Sequence, residues 1–308
     1  MHNLAIVIPA YKLTFLEDAL KSISSQANKN FTLYIGDDNS PDDLYAVVEK
    51  YEKIIDIVYK KFEENLGAIT LVAHWNRCVE MIASEKWIWL FSDDDIMRLD
   101  CVDSFLKAVE KTLSKYDVYR FNCSIIDEAG KEKVAASDYP LIQSSSAFLT
   151  SRLSFEFHHY ITNAIFSRSV FDKHKGFVNF AAAWAADDAT WILFGERTGI
   201  FTMQQGLVQW RESTINISGN RGSIANRTKK HKGADQFIEW VYQWSYKNKL
   251  ALNGKLLMNW YFTMITLIGF PNQKTIYLKS KPFRKHFWGK HLLLQVSHLL
   301  THKTIKAL

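Results

Sequence analysis

The sequence predicts an α/β fold, a mostly parallel sheet covered by helices. Three observations point there. Short apolar runs alternate with helical stretches through the first hundred residues, the connections between them are short, and acidic clusters follow directly on the ends of the runs. The chain has 308 residues, 47% hydrophobic and 23% charged. That length suffices to bury a core as one large domain or two smaller ones. Aromatics at 14%, with only 5 Pro and 13 Gly, exclude a disordered chain.

Leu4–Ile8 is an all-apolar run ended by Pro9, the pattern of a strand buried on both faces. Thr14 and Glu17 have capping-box spacing and open a helical stretch to about Gln26. Phe31–Ile35 is the second strand, followed by Gly36-Asp-Asp-Asn-Ser40 and by Pro41 at a helix N1 position. Asp42–Lys53 then reads as helix and Ile54–Lys60 as the third strand. Asn65-Leu-Gly67 makes a turn, Ala68–Ala83 a helix, and Trp87–Phe91 a fourth strand that runs into Ser92-Asp-Asp-Asp95.

Beyond Tyr116 the texture changes. Asp117–Ile126 has a strand pattern, and Asp127-Glu-Ala-Gly-Lys131 is a hairpin turn into a short polar strand. Ile161–Phe166 predicts another strand and Asp187–Thr198 a helix. The Ser-, Asn-, Gly- and Lys-rich stretch from Thr214 to Lys232 lacks periodicity and reads as a mobile loop or linker. Gln236–Phe270 and Phe283–Leu300 read as helical, rich in aromatics and leucine.

Three acidic clusters stand where open α/β sheets place their ligands, past the carboxyl ends of strands: Asp37-Asp38, Asp93-Asp94-Asp95 and Asp187-Asp188. An acidic pair alone also serves as a helix N-cap or first-turn charge. Three consecutive Asp beside Trp87-Ile-Trp-Leu-Phe91 demand more, because adjacent carboxylates repel and raise one another's pKa. A hard divalent cation, Mg²⁺ or Mn²⁺, with open positions for a diphosphate is the simplest neutraliser.

Here the residues carry a resemblance. Ala5-Ile-Val-Ile-Pro-Ala-Tyr11, Ile35-Gly-Asp-Asp-Asn-Ser40, Glu64-Asn-Leu-Gly67 with Trp75-Asn-Arg77, and Leu90-Phe-Ser-Asp-Asp-Asp95 resemble, in order and spacing, the motifs of family-2 glycosyltransferases with the GT-A fold. The likeness covers roughly residues 4–215. It implies a metal-dependent, inverting transfer of a sugar from a nucleotide-diphosphate donor, a UDP-sugar, to a glycan or polyprenyl-linked acceptor. By resemblance, Pro9, Ala10 and Tyr11 lie under the uridine, and Asp38 accepts the uracil imide N–H. Asp93 contacts ribose or donor sugar, and Asp94 with Asp95 holds the metal. Asp188 is then the general base, and Asp187 stands where relatives more often carry Glu. Ser92 is a second departure, at a position where many relatives have Asp. Asn65 and Gly67 shape a turn near the nucleotide. Arg211, beside Trp210, holds a phosphate or is a solvated strand end. Asn76 and Arg77 support the site or face solvent on their helix. His158-His159 has no partner at metal-ligand spacing and reads as structural or as part of an acceptor pocket. The family likeness also implies a role in bacterial surface polysaccharide, such as O-antigen or capsule.

Other classes fit less well. A receiver domain needs its acidic pair directly after the first strand, and related nucleotidyltransferases need a Gly-rich basic loop there; this chain has Pro9-Ala10-Tyr11. A nucleotide-sugar-binding or scaffold module without activity is the remaining alternative, against which the intact metal triad and base both stand. Cys78, Cys101 and Cys123 have no zinc-ligand or disulfide spacing, and the N-terminus reads as no signal peptide, so the expectation is a reducing, cytoplasmic setting.

Charge is divided unevenly. The formal +6 resolves into −6 over residues 1–228, the expected catalytic domain, and +12 over residues 229–308, the expected helical extension. Basic, Trp-rich amphipathic helices suit an anchor on the anionic inner face of a membrane, or else a helical subdomain that packs on the core or joins two copies. No nucleic-acid motif frames these charges.

Overall fold

The computed structural model describes residues 2–216 and 224–269. Its elements are, in chain order, β1 (Leu4–Ala10), α1 (Leu16–Ser24), β2 (Phe31–Asp37), α2 (Tyr45–Val48), β3 (Ile57–Lys61), α3 (Leu71–Val79), β4 (Trp87–Leu90), β5 (Ile96–Met97) and α4 (Cys101–Lys111). Then come β6 (Val118–Arg120), β7 (Cys123–Ile126), β8 (Glu132–Val134), β9 (Ile142–Gln143), α5 (Ser145–Leu153), β10 (Ala164–Ser167), α6 (Arg168–His174) and α7 (Ala186–Phe194). β11 (Ile200–Thr202), β12 (Val208–Arg211), α8 (Ile224–Lys247) and α9 (Gly254–Ile268) complete the set, with 3₁₀ turns at Ile161–Asn163 and Ala181–Ala183.

The main sheet has the order β3-β2-β1-β4-β10-β6-β11-β9, and a smaller one the order β5-β12-β7-β8. β3, β2, β1 and β4 run parallel, so their carboxyl ends share one edge. β1 shows why an unbroken apolar run is needed at the centre of such a sheet. Leu4, Ile6, Ile8 and Ala10 enter one core cluster with α1 and α4, while Ala5 and Val7 enter the other with α3 and α5 through α9. Gly36 lets α3 approach β2, since a Cβ there would stand 2.3 Å from Cys78 Sγ.

Several expectations need correction. β1 and β2 run on through Pro9 to Ala10 and to Asp37, because parallel pairing continues to the Ala10–Asp37 register. The Thr14–Glu17 capping box does not form; α1 starts at Leu16 with no side-chain cap. The helix expected over Asp42–Lys53 shrinks to the single turn of α2, with turns following. The strand expected over Asp117–Ile126 breaks at Phe121-Asn122 into β6 and β7, which belong to different sheets. Within the stretch expected as loop as far as Lys232, α8 already begins at Ile224. That helix buries Gly233, Ala234, Phe237, Ile238 and Val241.

α8 and α9 pack on each other and on the helices that cover this face of the main sheet, in one cluster with Phe180, Ala186 and Trp191. This packing accounts for the apolarity of Leu256–Phe270 as far as Ile268. Among the described residues no helix is long and apolar enough to cross a membrane. The helix expected at Phe283–Leu300 lies outside the described residues. All three cysteines are free and buried.

Candidate active site

The carboxyl ends of β2, β1 and β4, three neighbouring parallel strands, bring together Asp38, Tyr11 with Lys12, and Asp93-Asp94-Asp95. Asp37, the last residue of β2, faces inward: it accepts from the Ser40 N–H (2.7 Å) and the Tyr59 hydroxyl (2.5 Å) and so shapes the turn. Asp38 sits one residue further, 2% exposed. Its Oδ1 accepts from the Leu66 N–H (2.9 Å) and from the Arg77 guanidinium, and its Oδ2 from the Gly67 N–H (2.8 Å). Burial pushes the Asp38 carboxyl up, against the pull of Gly67 N–H and Arg77.

The Asn65–Gly67 turn thus grips the Asp38 carboxylate. A Cβ on Gly67 would lie 2.5 Å from Asp38 Oδ2, so a larger residue there would displace the carboxylate from this grip. Arg77 is held in turn by the Glu64 carbonyl, by the Phe62 ring 3.9 Å below it, and by His74, whose Nδ1 accepts from Arg77 Nε at 3.0 Å. Burial and the Arg77 charge drive His74 down to about 3, which keeps it neutral and able to accept. Asn65 caps its own turn by accepting from Ala68 N–H (2.9 Å). Asn76 points elsewhere, to the Phe177 N–H (3.2 Å), and braces the turn after α6.

Asp93 Oδ2 accepts from the backbone N–H of both Tyr11 (3.0 Å) and Lys12 (2.9 Å), fixing the chain as it leaves β1. Pro9 and Ala10 are the last residues of β1, and the Tyr11 ring beyond them is 41% exposed. The Lys12 ammonium lies 3.3 Å from Asp93 Oδ1 and pairs with Asp94 Oδ2. Burial and the Asp93 charge push Asp94 up to about 6. Asp95 is fully buried; burial and Asp94 hold its carboxyl well above the usual range. Its Oδ1 accepts from the Arg211 N–H (2.8 Å), and its Oδ2 lies buried without a hydrogen-bond partner.

Arg211 is not where a phosphate could reach it, which corrects the expectation. It is 1% exposed, with its guanidinium engaged by the Asp94 and Glu128 carbonyls (2.9 and 2.8 Å), by Asp18 (2.9 Å) and by the Phe15 ring. It neutralises the acidic cluster from beneath.

The third cluster lies in the first turn of α7. Asp188 is 3% exposed, and Arg152 of α5 grips it with Nε on Oδ1 (2.6 Å) and a terminal nitrogen on Oδ2 (3.2 Å). Burial and the Asp188 charge push Asp187 up to about 7. Tyr160 stacks flat on Trp210 of β12, with centroids 4.1 Å apart. His159 is a core residue, packed against Phe148 and Trp191 and kept neutral by burial.

The sequence singles out neither Lys12 nor Arg152, while Arg77, in the Trp75-Asn-Arg77 motif, proves to be site support and not solvated helix surface. Each cation finds its acid at long range, 82, 36 and 39 positions away, where no local spacing reports it. Among the described residues no three His, Cys, Asp or Glu side chains converge on a point that could hold a metal. The donor set fits an oxygen-loving Mg²⁺ or Mn²⁺ held by one or two carboxylates and completed by substrate phosphates, with the unpartnered Asp95 Oδ2 beside Asp94. It does not fit an all-protein cage.

Comparison with known proteins gives concordant matches. The family model for glycosyl transferase family 2 matches residues 5–175. A candidate teichuronic acid biosynthesis glycosyltransferase of Bacillus subtilis (strain 168), TuaG, is 25% identical over 233 residues, covering 73% of this chain and 84% of that protein. Among solved structures, S. aureus TarS 1–349 in complex with UDP-GlcNAc superposes with a TM-score of 0.56 at 13% identity, covering 87% of this chain and 82% of that one. The mannosyltransferase PcManGT of Pyrobaculum calidifontis, in complex with GDP-Man and Mn²⁺, gives 0.51 at 13% identity, with 93% and 81% covered.

Proposed function

This chain belongs to glycosyl transferase family 2 and has the GT-A fold with a helical C-terminal part, and from that premise we propose that it moves a sugar from a UDP-sugar to a hydroxyl of a glycan or polyprenyl-linked glycan, with inversion. One observation carries the reading: Asp38, the exposed Tyr11 and the Asp93–Asp95 cluster meet at the carboxyl ends of three adjacent parallel strands. That is where such sheets bind nucleotides. The structural relatives were solved with UDP-GlcNAc or with GDP-Man and Mn²⁺, and the donor class follows theirs.

In this mechanism the Tyr11 ring underlies the base. Asp38 Oδ2, which accepts only from Gly67, keeps a lone pair for the uracil imide N–H. A carboxylate there selects against bases that lack the donor. Asp94 and Asp95 would hold Mg²⁺ or Mn²⁺, which when bound supplies Lewis-acid neutralisation of the leaving diphosphate. Asp188 takes the proton of the acceptor hydroxyl as its oxygen attacks the anomeric carbon and the bond from that carbon to the diphosphate breaks. Displacement in line inverts the configuration. Asp188 Oδ2, on the longer arm of the Arg152 fork, has the lone pair for this. The +12 of residues 229–308 suits an anionic membrane surface, on the cytoplasmic side, where a polyprenyl-linked acceptor lies. The likeness to TuaG favours a surface-polysaccharide acceptor.

The test is UDP release by purified full-length protein with Mn²⁺ across a panel of UDP-sugars, with and without added acceptor glycans. Turnover of at least one sugar is expected. Neither turnover nor UDP binding with any of them overturns the reading.

A further inference from the structure

The three carboxylates after β4 are expected to need a cation, and the structure already contains one. Lys12 is rooted immediately beyond β1 by the two backbone N–H groups on Asp93 Oδ2, so the start of its side chain cannot drift. Its ammonium then spans Asp93 Oδ1 and Asp94 Oδ2 and reaches Asn216 Oδ1 at 3.4 Å. The carboxylates are almost fully buried, 7% and 6% exposed as side chains, while the lysine is 27% exposed. A divalent ion entering beside Asp94 would therefore meet a positive charge on the very oxygen it needs. Arg211 is locked beneath the cluster by four partners and cannot withdraw. Lys12 can: its stem is flexible, its head meets solvent, and an ammonium readily transfers from carboxylate to phosphate as a point charge.

We propose that Lys12 is the resident counter-ion of Asp93 and Asp94, and that nucleotide diphosphate and divalent metal bind as a unit. The diphosphate draws Lys12 off the carboxylates and so opens them to the metal. This rests on the nucleotide-diphosphate reading above. It makes the coupling reciprocal: the factor by which nucleotide tightens metal equals the factor by which metal tightens nucleotide. Lys12 is then a positioning residue that suppresses metal binding in the empty enzyme and holds the diphosphate in the loaded one.

The experiment measures Mn²⁺ affinity by electron paramagnetic resonance and UDP affinity by calorimetry on the full-length chain, each with and without the other ligand. In the wild type, saturating UDP is expected to tighten Mn²⁺ at least about tenfold. Lys12→Met should bind Mn²⁺ at least about tenfold more tightly than wild type when UDP is absent, and the coupling should shrink by about the same factor, leaving the part that direct phosphate ligation of the metal supplies. Lys12→Arg, which keeps the charge, should resemble the wild type, and thermal melts establish that both variants fold. Equal Mn²⁺ affinity of Lys12→Met and wild type without UDP overturns the proposal, as does coupling that persists undiminished in Lys12→Met. Those failures leave UDP binding intact. Absence of UDP binding to the wild type under every condition overturns the nucleotide reading itself and this proposal with it.

Discussion

The carboxylate of Asp188 lies in the fork of the Arg152 guanidinium, with bonds of 2.6 and 3.2 Å and the third nitrogen of the arginine fixed on the Phe157 carbonyl at 2.8 Å. A carboxylate held this way, proposed above as the base, is fixed in its aim. Asp188→Asn keeps the shape and removes the acceptor, so transfer should fall about 10²–10⁴-fold. UDP affinity, assigned above to the Asp38 pocket, should not change. Single-turnover rates and UDP calorimetry check both halves; lost UDP binding would show that Asp188 is not the base.

The fork can be tested from its other side. Arg152→Gln removes the guanidinium that orients the buried Asp188 carboxylate, so kcat should drop. Opening a largely buried pair also destabilises, by about 3–5 kcal/mol at most, and less here because Arg152 is 20% exposed. Arg152→Lys should recover part of the rate and of the Tm. A lowered Tm with unchanged kcat in Arg152→Gln would reduce the arginine to a structural brace.

Asp187 adds a stability signature. Its folded-state value near 7 exceeds the ordinary 3.8, so between about pH 4 and 7 the folded protein holds a proton that the unfolded chain has released. Stability from this residue therefore declines as pH rises through that window and stays level above it. Asp187→Asn should raise Tm at pH 8 and leave it unchanged at pH 4. Scanning calorimetry at the two pH values decides; a gain at both, or at neither, contradicts the assignment.

Gly67→Ala tests the nucleotide pocket without touching a charge. The added methyl would lie 2.5 Å from Asp38 Oδ2 and compete with the Gly67 N–H for the same space. UDP binding should weaken at least about tenfold, the cost of one displaced charge-assisted hydrogen bond. Calorimetry with UDP reads this directly, and wild-type affinity in the variant would place the base elsewhere.

What could be read from the sequence follows from where information sits along it. Strand-end carboxylates were legible because Asp38 and Asp93–Asp95 adjoin apolar runs whose burial is unmistakable. Two cations of the site were not, since Lys12, which pairs with Asp94, and Arg152, which pairs with Asp188, look like any solvated base until the fold brings them to their acids. Arg211 misled in the opposite sense: beside Trp210 it read as a ligand for phosphate, while its true partners, Asp18 and the Asp94 and Glu128 carbonyls, come from distant segments. Low hydropathy hid the start of α8, whose buried stripe opens with Lys230, His231 and Gly233 rather than with leucines.

α8 bears on the proposed base as well as on the core. The run before Asp187 carries three alanines in left-handed backbone, Ala182, Ala183 and Ala185, with φ of 56°, 51° and 58°. Each costs about 1–2 kcal/mol for a residue with a Cβ, so this path persists only if something holds it. α8 does: Gln236 accepts from the Ala181 N–H at 2.8 Å, and Gly233 lets the helix sit directly on the Ala181 carbonyl. A Cβ at Gly233 would lie 2.3 Å from that carbonyl oxygen and 2.8 Å from the Trp184 Cβ, and neither is the end of a flexible side chain. Gly233→Ala should therefore shift the run that aims Asp188 and lower kcat by more than tenfold, while UDP affinity holds. Gln236→Ala removes one hydrogen bond, about 0.5–1.5 kcal/mol, and should show a smaller loss in the same direction. Steady-state kinetics with UDP calorimetry on both variants make the comparison. Normal kcat in Gly233→Ala would mean that α8 only covers the core and leaves the base to be set by α7 and Arg152 alone.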